Sequence, residues 1–253
     1  METFFNEHGI ITLYKNDIYI IDQFKKNNYW DINTLIKLRE YINPNKDILE
    51  IGAHCGTSTV IYAKFLSSNN KVYAFEPQKN MYNLLKHNIE QNNLQNKVDI
   101  FNKALFCFNG YCNMNNIDLD GGCGNVLKRY NDENELPCNF GGICLGKDGE
   151  KVCSITIDDN LNYDNIGFIH CDAQGAENFI FSKATEFIKK NRPVIFFENN
   201  AKYSNYLFEN VCNSYPEYEK NSEFNIIDYC MNDLNYSKYI SNFEGGIDDL
   251  LVP

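Results

Sequence analysis

The sequence predicts one α/β domain, Rossmann-like, with a mostly parallel sheet covered by helices on both faces. Three observations point there. From Asp47 to Lys103 β-rich runs alternate with helical periodicity, at 48–52, 57–66, 72–76, 79–91 and 98–103, and strands that alternate with helices pair in parallel. The first run stops at a glycine turn, Gly52-Ala53-His54-Cys55-Gly56, and passes at once into a helix. Glu50, Glu76, Asp172 and Glu198 each stand at or near a strand's carboxyl end, the edge where open α/β sheets hold their ligands.

Before this core, Ile10–Tyr14 and Ile18–Ile21 flank Lys15-Asn16-Asp17 and read as a hairpin. Asp31 reads as the N-cap of a helix running to Ile42, with Leu35, Leu38 and Ile42 on one face and Pro44 beyond its end. Trp30, the only tryptophan, stands just before it, as a packing residue or as part of an acceptor pocket. In the helix at 79–91, Met81, Leu84, Leu85 and Ile89 form a core face.

Between Phe106 and Val152 periodicity fails around Gly121-Gly122 and Gly141-Gly142. So long a connection is a lid, a binding loop or an excursion, and an acceptor-side insertion with short β structure is the expectation. Strands follow at 151–157, 166–172 and 193–198, with Gly175 turning the second into a helix over 176–188. The last third adds a helix over 203–212 and a strand near Phe224–Tyr229.

At 253 residues the chain buries a full core and needs no second domain. Its net charge of −11 argues against nucleic acid, which is bound mainly through Lys and Arg. No apolar run is long enough to span a membrane, and the N-terminus has neither the basic nor the apolar region of a secretory signal. The expected compartment is cytoplasmic. The ten cysteines are therefore expected as thiols; six of them fall between 107 and 153 without a C-x-x-C pair, which disfavours structural zinc. Asn, Ile, Lys, Tyr and Phe are frequent throughout, as in AT-rich coding sequence, so a single Asn carries little weight.

The glycine spacing discriminates between cofactors. Dinucleotides take G-x-G-x-x-G, whose middle glycine yields to a pyrophosphate; here the spacing is Gly52-x-x-x-Gly56 and His54 fills the middle. Glu76 lies 20 residues past Gly56, the offset of an acid that takes ribose hydroxyls. Asn102 and Ala104, at the end of the third core strand, are placed to meet an adenine.

Glu50-Ile-Gly-Ala-His-Cys-Gly56, Ala74-Phe-Glu-Pro77, the Asn88 to Asn92 region, Ala104-Leu105, Thr156-Ile-Asp158 and Cys171-Asp-Ala-Gln-Gly-Ala-Glu177, with Glu198 beyond, together resemble the FkbM family of methyltransferases. The resemblance covers about residues 47 to 200 and departs modestly. Glu50 replaces Asp, His54 replaces Asn, Gln174 stands where Glu is frequent, and His170 where Lys is. It implies a seven-stranded class I fold that binds S-adenosylmethionine (SAM) and methylates a hydroxyl, commonly of a sugar or secondary metabolite. The cofactor residues would be Glu50, Gly52, Ala53, His54, Gly56, Thr57, Glu76, Pro77, Asn102, Ala104 and Asp172.

An alcohol needs a base, or a metal that lowers its pKa, to attack a methyl group at neutral pH. Asp172 is the candidate base or orienter, with Glu198 beside it. His170 shares its side of the strand, as a proton-transfer partner or as a satisfied core residue. Glu177 opens the next helix, where acceptor binding competes with a favourable placement on the helix dipole. A divalent cation between Asp172 and Glu198 would suit hard oxygen ligands. The acceptor is expected to be a small molecule, a glycan or a nucleotide-linked sugar. The competing readings are an NAD-dependent sugar oxidoreductase, which lacks its glycine signature, and a non-catalytic module that binds a partner through the insertion.

Overall fold

The computed structural model describes residues 1–119, 123–131, 136–211 and 224–253; Gly121, Gly122 and Cys212 lie outside them. The chain opens with the antiparallel strands β1 (Glu2–Asn6) and β2 (Gly9–Leu13). The hairpin thus lies earlier than the β-branched runs suggest, because Asp17 stops the second run from extending. Its Oδ1 accepts the N–H groups of Tyr19 and Ile20 at 3.1 and 3.0 Å, and Ile20, Ile21 and Phe24 then bury one face of α1 (Ile20–Lys25). The expected second helix forms as α2 (Ile32–Leu38) with a 3₁₀ turn to Tyr41. Asp31 does not cap it through its side chain, since its backbone is left-handed at φ 51°.

The core follows as β3 (Asp47–Ile51), α3 (Thr57–Phe65), β4 (Val72–Phe75), α4 (Lys79–Gln91) and β5 (Val98–Phe101). The edge of β2 is closed by amides of α4, not by another strand. Asn88 exchanges hydrogen bonds with Thr12 N–H and C=O at 2.9 and 3.1 Å and donates to the Cys55 carbonyl at 2.7 Å.

The third core run splits after Phe101. Residues 104–155 build a separate four-stranded sheet in the order β6 (Ala104–Leu105), β9 (Lys151–Ile155), β7 (Gly110–Met114) and β8 (Leu145–Gly146), with α5 (Val126–Arg129) between β7 and β8. The strand expected at 151–157 therefore pairs within this excursion, and its last residues turn into α6 (Ile157–Asn160). Cys123 and Cys138 form a disulfide there, with Cα atoms 5.5 Å apart. This corrects the expectation of reduced thiols throughout: the pair is brought together by the fold of the excursion, which cysteine spacing does not reveal.

The chain returns through β10 (Ile166–Cys171), α7 (Glu177–Phe181), α8 (Thr185–Asn191), β11 (Val194–Glu198), α9 (Ala201–Val211), α10 (Ile226–Asp228), β12 (Lys238–Ile240) and β13 (Asp248–Val252). The single helix expected over 176–188 is two, because the Asp158 carboxylate accepts the N–H groups of Glu186 and Phe187 and starts a new helix there. The strand expected at 224–229 is helical instead. Asn225 Oδ1 accepts from Ile227 and Asp228 N–H, an N-cap that commits the β-branched residues after it.

The main sheet has seven strands in the order β12-β13-β11-β10-β3-β4-β5, all parallel except β13. Ile48, Leu49 and Ile169 at its centre are wholly buried, as expected of parallel strands covered on both faces. The strand order reverses direction between β3 and β10, so their carboxyl ends diverge and leave a crevice. Among the described residues no helix is long and apolar enough to cross a membrane.

Candidate functional site

A cavity of about 330 Å³ opens at that crevice. Its floor is the turn after β3. Gly52 lies at φ +81°, and a Cβ there would stand 1.8 Å from the Asp172 carbonyl oxygen. Only glycine lets the first strand pass so close to the end of the fourth. Gly52 and Ala53 N–H both donate to the Phe75 carbonyl, fixing the turn against β4. His54 then takes a left-handed conformation and donates its N–H to Glu76 Oε2 at 2.8 Å. The other oxygen of Glu76 accepts from Gln78 N–H at 2.8 Å.

Glu76 is thus buried, doubly bonded to the backbone, and still on the cavity wall. Each carboxylate oxygen keeps a second lone pair for a ligand. Burial outweighs the two hydrogen bonds and pushes its pKa up to about 8. Burial also pushes the His54 imidazole down to about 4, so the ring is neutral at pH 7, and its Nε2 has no protein partner.

On the other side stand the ends of β10 and β11. Gln174, also left-handed, places its amide nitrogen between two carboxylates, 2.7 Å from Asp172 Oδ1 and 3.0 Å from Glu198 Oε2. A donor thus occupies the position proposed for a bridging cation. Burial, then the charges of Asp172 and Glu177, hold the Glu198 carboxyl well above the usual range. Asp248, from the antiparallel β13, joins this wall; burial and then the Asp172 charge push it up to about 6. Asp31 stands at the rim beside Trp30, its pKa raised chiefly by burial.

The wall brings together most of the residues that the sequence singles out: Gly52, Ala53, His54, Thr57, Glu76, Pro77, Ala104, His170, Asp172 and Glu198. Four others stand behind it. Glu50 is wholly buried, accepts from Ser58 Oγ and lies 3.6 Å from His170 Nδ1. That is too long for a hydrogen bond but close enough to act by charge. Burial lowers the His170 pKa, and the carboxylates of Glu50, Asp172 and Asp248 together more than offset it, leaving the imidazole above its ordinary value. Glu177 accepts the N–H groups of Ala173 and Gly175 and so supports the turn after β10. Asn102 spends its amide on the carbonyls of Glu76 and Pro77. Gly56 packs under Leu85. Trp30 both packs on the core and lines the cavity.

The sequence reading expected the insertion to carry short β structure and to face the acceptor, but named none of its residues for the site. Asn139, Gly141, Gly142 and Ile143 come from the excursion, which Gln78 ties down by donating to the Phe140 carbonyl while accepting from Tyr130 Oη. The Gly141-Gly142 pair, where periodicity fails, is the available signal. Asp248 and Asn200 are legible only once β13 is known to lie beside β11.

The cavity wall carries five carboxyl side chains, Asp31, Glu76, Asp172, Glu198 and Asp248, against Lys103, and a cationic ligand there would favour their ionised forms. The wall fits a sulfonium cofactor on two counts: an acid with spare lone pairs at the second strand, and a turn after the first in which Gly52 admits no side chain.

A family profile for the methyltransferase FkbM domain matches residues 50–237. A search of curated proteins found no match. Among solved structures, the chain is similar to an O-methyltransferase from Bacillus cereus in complex with SAH, at 18% identity over 87% of this chain and 79% of that one, TM-score 0.43. A SAM-dependent O-methyltransferase from Thermotoga maritima shares 11% identity over 82% and 68%, TM-score 0.43. The methyltransferase FkbM from Methylobacillus flagellatus KT shares 12% over 78% and 56%, TM-score 0.41.

Proposed function

Because the chain belongs to the FkbM family of SAM-dependent methyltransferases, we propose that it methylates a hydroxyl of a small polar acceptor, most simply a sugar. The observation that carries this is the pairing, across one cavity, of Glu76 on the second strand with Asp172 on the fourth. Glu76 would accept the ribose hydroxyls through its remaining lone pairs. Pro77 and Ala104 would flank the adenine, and Thr57 with the N-terminus of α3 would receive the carboxylate end of the cofactor. When bound, SAM supplies a methyl group on a positively charged sulfonium, open to in-line displacement.

Asp172 would orient the acceptor hydroxyl and take its proton. Gln174 fixes Oδ1, leaving Oδ2 for that task. His170, held beside Glu50, would stabilise the charge on Asp172. Glu198, Asn200 and Asp248 offer further hydrogen-bonding groups, and Trp30, Tyr19 and Phe196 offer apolar faces. A ring with hydroxyl edges and C–H faces matches that mixture. The net charge of −11 supports an acceptor other than nucleic acid. The Gln174 amide between Asp172 and Glu198 supports chemistry by carboxylate and without a bridging cation.

The test is transfer of labelled methyl from SAM onto a panel of neutral sugars, nucleotide sugars and polyols, with amines and RNA as contrasts. Label on a hydroxyl oxygen is expected; label confined to nitrogen or to RNA would overturn the reading.

The cofactor site has its own pH signature. A Glu76 carboxyl with a pKa of about 8 is mostly protonated at pH 6, and only the ionised form accepts both ribose hydroxyls. SAM affinity should therefore rise with pH from 6 to 8, by up to about tenfold per unit, and level off above. Glu76→Gln should bind weakly at every pH, without that slope. Calorimetry across the range reads both.

A further inference from the structure

Behind the outer wall of the cleft, Asp118, Cys123 and Cys138 place one carboxylate oxygen and two sulfurs all within 4.8 Å of one another. All three side chains are buried. The two sulfurs are joined as a disulfide here, yet Cys55, Cys112, Cys144, Cys153, Cys171 and Cys230 all stand as thiols. Among the described residues the crosslink is the exception. A dithiol reductant would convert it to two thiols: the S–S bond breaks and takes up two electrons and two protons, and the reductant closes to its own disulfide.

The reduced cluster then has two soft sulfur donors and one hard oxygen donor, a mixture that zinc accepts in tetrahedral sites. The carboxylate is already oriented, since Asn139 donates its N–H to Asp118 Oδ2 at 3.2 Å, the kind of outer contact that tunes metal ligands. We propose that in the reduced chain Asp118, Cys123 and Cys138 bind one zinc ion. Both thiols lose their protons to solvent, and the fourth position is left to water or a neighbouring oxygen.

The site has a structural task whichever closure it carries. Asp118 donates its N–H to the Cys123 carbonyl. Cys138 is tied to the N-terminal segment, donating its N–H to the Asn16 carbonyl and accepting Ile18 N–H. The next residues, Asn139, Gly141 and Gly142, are cleft wall. Zinc would therefore tie Asp118 and Cys123 to Cys138 within the excursion, as the disulfide ties Cys123 to Cys138 when oxidised, and hold the outer wall in place.

The test uses the full chain, fully reduced, loaded with zinc or cobalt(II) and desalted. We expect about one metal per chain and a thiolate-to-cobalt charge-transfer band. Cys123→Ser and Cys138→Ser should each abolish metal retention, and Asp118→Asn should weaken it on the order of tenfold or more. A reduced wild-type chain that retains no zinc and shows no cobalt band would overturn the proposal, as would retention by either serine variant. The wild-type measurement stands even if a variant fails to fold.

Discussion

Asp172→Asn should lower turnover by about a hundred- to ten-thousandfold, the usual worth of a positioned base, while SAM affinity at pH 8.5 and the thermal midpoint stay close to wild type. The substitution keeps the shape of the side chain and an oxygen for the Gln174 amide, 2.7 Å away, and removes charge and basicity. A purely structural residue would change the midpoint along with turnover. Asp172 also contributes charge to the raised pKa of Glu76, so the pH dependence of SAM binding should move to lower pH in this variant. Full turnover in Asp172→Asn would remove it from the chemistry.

Gly52→Ala should abolish SAM binding and destabilise the chain by about 2 to 6 kcal/mol. The estimate combines strain at φ +81°, worth about 1 to 3 kcal/mol in a residue with a side chain, with overpacking worth about another 1 to 3. The new Cβ would meet backbone, 1.8 Å from the Asp172 carbonyl oxygen, and backbone at a strand end cannot rotate away. Either the turn or the end of β10 must move, and both shape the cavity. Gly124→Ala is the control, since a Cβ there meets nothing within 4 Å and should cost less than about 0.5 kcal/mol. Urea unfolding and SAM calorimetry on both variants decide the matter, and a Gly52→Ala protein that binds SAM normally would refute this account of the turn.

Local patterns were legible where one strong local signal governed each choice. The Gly52-x-x-x-Gly56 turn and the strand tips at Glu76, Asp172 and Glu198 follow from glycine chemistry and strand periodicity, and all of them lie at the crevice. Boundaries failed where one polar side chain overruled its neighbours. Asp17 and Asn225 turn β-branched runs into helix starts, and Asp158 cuts a helix in two from a distance. Asn88 lies in a stretch that the family resemblance includes, but its task is tertiary: it is wholly buried and holds the N-terminal hairpin on the core.

By itself the sequence determined the parallel core, the cofactor turn and the row of acids, because each is written in the order of residues close along the chain. Tertiary structure alone decided which acids face the ligand. Glu50 and Glu177 carry as much charge in the sequence as Glu76 and Asp172, yet they sit behind the wall, bonded to Ser58 and to the turn at 173–175. It also decided the outer wall at Asn139–Ile143, the place of Asp248 beside β11 and the meeting of Cys123 with Cys138. These depend on contacts between segments far apart in the chain, and no local periodicity encodes which distant segment a strand or loop will meet.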